Sequence, residues 1–424
     1  MLDIQMFRKE PDKIKESEKR RDKDPGRIDR VRELDQEWRS TRQELDDLRQ
    51  RKNELTDQIQ DLKKDGEDAS GEIEEADQMD EKIEELEEKE KELLEERDEV
   101  RFKVGNIMHD SVPKGDDENE NVPIKHWEPE DGKKEDGELG ADVMEELDLI
   151  ETEKAVEVAG DRAYYLKGDL LDLNLALIRY GIDKMRGKGY TPMQTPYILN
   201  REPMEAAAEL EDFHDQLYKL DRHDRYLIAT SEQTLAALKY DEIIEEDELP
   251  IKLSGFSTNF RREAGKHGKQ TRGIWRVHQF DKVEQFIFSD PENSWELHEE
   301  LLQNSEEVMQ DLELPYRVVN VCTGDLGDTA SKKYDVEVWR PPLGDYGEVV
   351  SCSNCTAYQA EKLDARVRRP GEDNETVHTL NATALSTSRL MTAIMENNQT
   401  EDGTVKIPEV LQEYMGGKEY LGDS

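Results

Sequence analysis

Two runs of apolar residues at seven-residue spacing constrain this chain of 424 residues more than anything else in it. Over 28 to 62, Val31, Trp38, Leu45 and Ile59 fall on one heptad position. Leu34, Leu48, Leu55 and Leu62 fall three residues later, and Thr41 and Lys52 interrupt the seam. A second run places Ala76, Met79, Ile83, Leu86, Leu93 and Val100 at the same spacing, with Glu90 and Arg97 as polar breaks. A 3.5-residue repeat keeps one stripe of an α-helix turned toward a partner helix. The link KKDGEDASG is polar and short enough to turn the chain back. The pair predicts an antiparallel coiled-coil hairpin whose arms reach roughly 50 Å, at about 1.5 Å per residue.

The two arms differ in charge. Residues 1 to 64 hold 18 Lys plus Arg against 17 Asp plus Glu, whereas residues 65 to 100 hold 4 against 19. Charge runs are commonly solvated helix faces. A near-neutral first arm inside a chain of net charge −44 instead suits a polyanionic partner. That overall charge disfavours nucleic-acid binding in dilute salt and repels itself. Both problems shrink in molar salt, where the Debye length falls to about 3 Å, so the charge points to a halophilic protein rather than a moderately acidic mesophilic one.

The length suits two or three domains. No run of eighteen apolar residues is present, and the opening MLDIQMFRKEPDKIKESEKR lacks the apolar core of a signal peptide. Three cysteines, Cys322, Cys352 and Cys355, argue against a secreted disulfide framework and for a reducing cytoplasm. Cys352 and Cys355 form a CxxC, but zinc takes four ligands and no second cysteine pair exists. A strand-to-loop turn of small side chains is the favoured reading, and no zinc is expected.

After residue 142 the pattern turns globular. Between Arg261 and Arg276, six basic residues (Arg261, Arg262, Lys266, Lys269, Arg272, Arg276) accompany one acid, Glu263. The flanks alternate aromatic and β-branched residues with polar ones, as paired strands do, around the Gly-punctuated loop AGKHGKQTRG. The result is a hairpin presenting Arg261, Glu263, Phe280 and Glu284. Arg pairs phosphate oxygens through its planar fork, Phe280 can stack on a purine, and Glu284 can receive an ammonium.

The strings FRRE and TRGIWRVHQFDKVEQF closely resemble motif two of class II aminoacyl-tRNA synthetases, in the form used by seryl-tRNA synthetases. TPMQTPYILN, which reads as a strand containing Pro196, resembles motif one, which builds the family's dimer interface. TVHTLNATALSTSRLMTAIMENNQT resembles motif three, and MLDI with GNIMHDSVPKGDDENENV resembles the family's N-terminal arm. The resemblance implies an α+β fold: an N-terminal antiparallel coiled-coil hairpin plus a class II synthetase-type antiparallel sheet flanked by helices. It implies a tRNA-binding domain over 1–108, an acidic linker over 109–142 and a catalytic domain over 143–424.

It also implies serine activation with ATP and transfer to tRNA-Ser, with selenocysteine tRNA as a further candidate, by a homodimer without membrane attachment. Thr230, Ser231, Glu232, Glu284, Asn381 and Thr383 would bind serine; TSE before an apolar run reads equally as a helix N-cap. Arg261, Arg262, Glu263, Arg276, Val277, His278, Gln279, Phe280, Glu348, Val349, Val350, Ser351 and Arg389 would bind ATP. Arg261 and Arg389 would serve catalysis by polarising phosphates, while Glu348 and Ser351 would hold Mg²⁺. On the arm, Arg39, Arg42 and Arg49 are the candidate tRNA contacts. Two other classes compete: a synthetase-like ligase acting on a carrier protein, which the long hairpin disfavours, and a coiled-coil interaction protein, which the phosphate-binding residues disfavour.

Overall fold

The computed structural model describes residues 1–208, 216–263 and 273–422. The basic loop AGKHGKQTRG expected between the two strands lies, but for Gly273, outside the described residues. The chain divides into two compact units, Met1–Ile107 and Met108–Ser424.

In the first unit, α1 (Ile4–Lys9) and α2 (Pro11–Arg20) precede the long helices α3 (Gly26–Asp65) and α4 (Ser70–Phe102). Both long helices pack along each other as the heptads predict. Val31, Leu34, Leu45 and Leu55 of α3 and Leu86 and Leu93 of α4 are buried in the seam. Gly66 ends α3 with φ 75°, the left-handed turn a glycine takes without strain. The polar break at Arg97 has a partner the repeat does not reveal. Arg97 and Asp35 are both buried and lie 3.3 Å apart, and Asp35 also takes Arg8 of α1 at 2.7 Å and Arg39 at 3.0 Å. A buried carboxylate is stable only when paired this fully.

The second unit is built on an eight-stranded sheet. Its strands are β1 (Val122–Trp127), β2 (Thr191–Gln194), β3 (Ile251–Phe260), β4 (Gln279–Ser289), β5 (Tyr316–Asn320), β6 (Lys332–Arg340), β7 (Asp345–Thr356) and β8 (His378–Ser386). Their order is β1-β5-β6-β7-β8-β4-β3-β2. All pairings are antiparallel except β2 with β3.

Along β4 the side chains alternate. Val283 and Ile287 join the main core with α5 (Asp169–Gly187), α7 (Ser294–Asp311) and α9 (Thr387–Asn397). Phe286 and Phe288 turn to the other face, against α6 (Ser231–Ala236) and α8 (Tyr358–Leu363). The α5 helix lies close on the sheet because Gly181 is bare; a Cβ there would stand 2.5 Å from Leu385 Cδ2.

Two sequence expectations change here. Residues 122–127, within the stretch expected as a linker, form the exposed edge strand β1. The single strand expected over TPMQTPYILN is split around Thr195–Tyr197: β2 joins the large sheet, and Ile198–Asn200 pairs in a separate three-stranded sheet. Pro196 lacks the N–H that a continuous ladder would need.

Candidate active site

The site lies on the α6/α8 face of the sheet. In β4, Phe280, Lys282 and Glu284 share that face because strand side chains alternate with period two. Directly across in β3 stand Asn259, Ser257 and Gly255; across from Glu284 in β8 stands Thr383. Gly255 is small by necessity, since a Cβ would meet Leu235 at 2.8 Å and Ser231 Oγ at 2.9 Å.

Glu284 is buried, and its Oε2 accepts from Lys282 Nζ at 2.6 Å and from Thr383 Oγ1 at 3.3 Å. Lys282 Nζ also donates to Thr230 Oγ1 at 2.7 Å. Thr230 is the N-cap of α6, accepting from the Glu232 amide at 3.2 Å, so the capping reading and the site reading describe one residue. Glu232 Oε1 accepts from Gln359 Nε2 at 3.1 Å. Ser231 points inward, its hydroxyl donating to the Gly255 carbonyl at 3.1 Å. Asn381 is buried on the same face, with its amide 3.7 Å from Cys355 Sγ. Lys282 carries no distinguishing pattern in the sequence beyond its i, i+2 place between Phe280 and Glu284, and sequence reasoning missed it.

At the other end of the row, the Arg261 guanidinium lies 5.2 Å from the Phe280 ring centroid and its Nε donates to the Ala229 carbonyl at 3.2 Å. One backbone and one side-chain bond fix it to His278: the Arg261 amide donates to the His278 carbonyl at 3.0 Å, and His278 Nδ1–H donates to the Arg261 carbonyl at 2.8 Å. Glu263 turns with φ 48° and faces Arg276 at 3.7 Å. Arg262 and Gln279 are exposed. Val277, Val349 and Val350 send their side chains into the core, which leaves only their backbone for a ligand.

Arg389 of α9 donates to the Glu348 carbonyl at 2.7 Å, stands 3.4 Å from its carboxylate and lies over Trp275 at 5.7 Å. Trp275 is seated in turn by Arg340, 4.0 Å from its ring, which forms a buried pair with Glu396 at 2.6 Å. Desolvation alone would raise the Glu348 carboxyl, but Arg389, Lys333, Arg261 and Arg276 outweigh it and hold it below the usual range. Of these cations, Arg389 is the one in contact with the Glu348 carboxylate. Asp335 lies directly across from Ser351. Burial, opposed by Lys333, pushes it up to about 8, and among the described residues its Oδ1 has no hydrogen-bond partner. Glu348, Ser351 and Asp335 offer hard oxygen donors of the kind Mg²⁺ takes beside phosphates.

Cys352 and Cys355 lie inside β7 rather than in a turn. Cys352 Sγ is 3.8 Å from the His298 carbonyl. Among the described residues no group of three or more His, Cys, Asp or Glu is arranged to hold a metal ion, and no helix is long and apolar enough to cross a membrane.

A mostly antiparallel sheet carrying paired cations over a stacked aromatic is the architecture of a class II aminoacyl-tRNA synthetase. The model of the tRNA synthetase class II core domain (G, H, P, S and T) matches residues 217–398. The model of the seryl-tRNA synthetase N-terminal domain matches residues 1–108. The serine–tRNA ligase of Methanosphaera stadtmanae is 46% identical, covering 99% of both chains; that of Pyrococcus furiosus is 45% identical over 99% of this chain and 98% of its own. The crystal structure of seryl-tRNA synthetase from Pyrococcus horikoshii complexed with ATP superposes with a TM-score of 0.92 at 42% identity, covering 99% of each chain. The chain belongs to the seryl-tRNA synthetases, ATP-dependent ligases that activate serine and transfer it to tRNA-Ser.

Proposed function

We propose that the residues of this site divide the reaction along β4, with adenine at Phe280 and the serine ammonium at Glu284. The row itself carries the reading. Four residues of strand span about 13 Å, which leaves room for ribose and phosphate between the two ends. Arg261, beside Phe280, meets the α-phosphate, and Arg389 meets the γ-phosphate. Glu263 and Arg276 border the nucleotide, with backbone from Val277 to Gln279 and from Val349 to Val350, while Arg262 lies at its rim. Thr230, Glu232, Asn381 and Thr383 complete the serine pocket, and Ser231 braces it from beneath. Hydroxyl selection follows from buried polar groups, which are left unpaired by alanine or glycine.

A serine carboxylate oxygen attacks the α-phosphorus and pyrophosphate leaves; a terminal ribose hydroxyl of tRNA then attacks the seryl carbonyl and AMP leaves. No enzyme nucleophile is required, so catalysis consists of positioning and charge stabilisation. Glu348 and Ser351 would hold Mg²⁺, which neutralises triphosphate charge, with Asp335 behind them. The Met1–Ile107 unit grips tRNA through α3. The boundaries 1–108, 109–142 and 143–424 fit this division of labour, once β1 is counted with the sheet. Exposed Leu171 (44%) and Leu175 (53%), one turn apart on α5, suit contact with a second copy.

Serine-dependent pyrophosphate exchange tests the assignment. Arg261→Ala and Glu284→Ala each lower it by about 10²-fold or more while the fold survives. Near-normal exchange in either variant removes the assignment of that residue. Aminoacylation of tRNA-Ser and selenocysteine tRNA in parallel defines the acceptor range.

A further inference from the structure

Lys282 sits where the reaction must occur. It lies between Phe280 and Glu284 on the same face of β4, two residues from each. Its side chain is 6% exposed and that of Glu284 is 2% exposed. Its ammonium contacts Glu284 Oε2 at 2.6 Å and Thr230 Oγ1 at 2.7 Å. Glu284 is the group assigned above to the serine ammonium, and Thr230 belongs to the same serine pocket. The seat proposed for the serine ammonium is therefore taken by the protein's own ammonium.

We propose that Lys282 is a further catalytic residue that exchanges ion pairs with the substrate. The inference rests on the assignment of Glu284 to the serine ammonium. Serine arrives as a zwitterion. Its ammonium takes Glu284, and the released Lys282 ammonium takes the serine carboxylate. One buried pair becomes two, and no net charge enters the pocket, so no isolated charge is stranded in low dielectric.

The position explains why a lysine serves. Glu284 and Phe280 lie about 7 Å of strand to either side. The cation therefore stands between the two ends of the adenylate, at the junction of carboxylate and α-phosphate. A flexible four-carbon stem with a compact charge can move between Glu284 and that junction. There it holds the attacking carboxylate beside phosphate oxygens that would otherwise repel it. Bound serine is also marked as an α-amino acid, because only a ligand carrying both charges satisfies Glu284 and Lys282 together.

Serinol separates this role from a merely structural one, since it keeps the ammonium and hydroxyl but lacks the carboxylate. Calorimetric binding of L-serine and of serinol is compared in the full chain and in Lys282→Met, with ATP binding and thermal melting as controls. In Lys282→Met, serine affinity falls by about tenfold or more while serinol changes by less than about threefold, and kcat for exchange falls about 10²-fold with ATP affinity retained. If serine and serinol weaken together, Lys282 only braces Glu284 and the proposal is overturned. If neither weakens, it is overturned as well. Should Lys282→Met fail to fold, Lys282→Arg decides: continued preference for serine over serinol supports the exchange, and equal affinities overturn it. Glu284→Gln is the control for the underlying assignment. If it binds both ligands as the parent does, the serine-site reading fails, irrespective of Lys282.

Discussion

His298 of α7 is buried against Tyr334, with ring centroids 5.1 Å apart, and its Nε2–H donates to the Cys352 carbonyl at 3.1 Å. Burial holds its pKa down at about 4, and burial does the same to His378. A histidine whose folded value lies below the unfolded 6.5 stabilises the protein above 6.5 and loses that contribution as pH falls through 4. Each ring contributes on the order of 3 kcal/mol to this acid-side loss. The melting temperature should therefore fall steeply between pH 6.5 and 4, and His298→Phe should flatten the fall; an unchanged slope would remove His298 from the account. Candidates with strong chemistry, such as Arg261, Glu284 and Arg389, could be named from the chain alone. Lys282 was not, because the role proposed for it depends on which way a strand faces and on Thr230 being brought to it from fifty-two positions away.

At the scale of elements, the heptads predicted α3 and α4, and the alternation in KVEQFIF predicted β4. What stayed hidden has physical causes. Strand β1 is almost wholly exposed, so no burial alternation marks it within a charged, proline-containing stretch. The Arg97 break reads as a flaw until Asp35 is placed beside it. The arm cations also have partners: Arg42 faces Glu90 at 3.6 Å, Arg49 faces Glu87 at 2.7 Å, and Arg39 is tied to Asp35 at 3.0 Å. Exposed pairs of this kind contribute about 0–1 kcal/mol each, so Arg42 and Arg49 remain available to a phosphate backbone at small cost to the hairpin. Changing Arg39, Arg42 and Arg49 together to Gln should weaken tRNA binding. The log–log salt slope should become shallower by about 0.9 for each phosphate that is no longer neutralised. Serine-dependent pyrophosphate exchange should be untouched, since every residue of the proposed site lies beyond Ala229. An unaltered salt slope, measured by filter binding across a KCl series, would place the tRNA on another face of the arm.

For the molecule as a whole, the decisive quantity is the excess of 103 acids over 59 bases. The ion pairs of the hairpin show how the excess is distributed: Arg39, Arg42 and Arg49 of α3 each already face a carboxylate, while α4 carries many acids with few bases to answer them. Self-repulsion of this kind is long-ranged between exposed charges and falls away once the Debye length drops from about 10 Å at 0.1 M to about 3 Å at 1 M. The buried Lys282–Glu284 pair is screened far less. Raising KCl from about 0.1 M to several molar should therefore raise the unfolding midpoint by more than about 5 °C, and serine affinity per folded molecule should change little. Binding of tRNA should be slow at low salt despite the near-neutral first arm, because the net field repels a polyanion before the two surfaces meet. A midpoint that is flat across the KCl series would show that these carboxylates do not repel one another strongly enough to matter, and the inference of a halophilic protein would go with it.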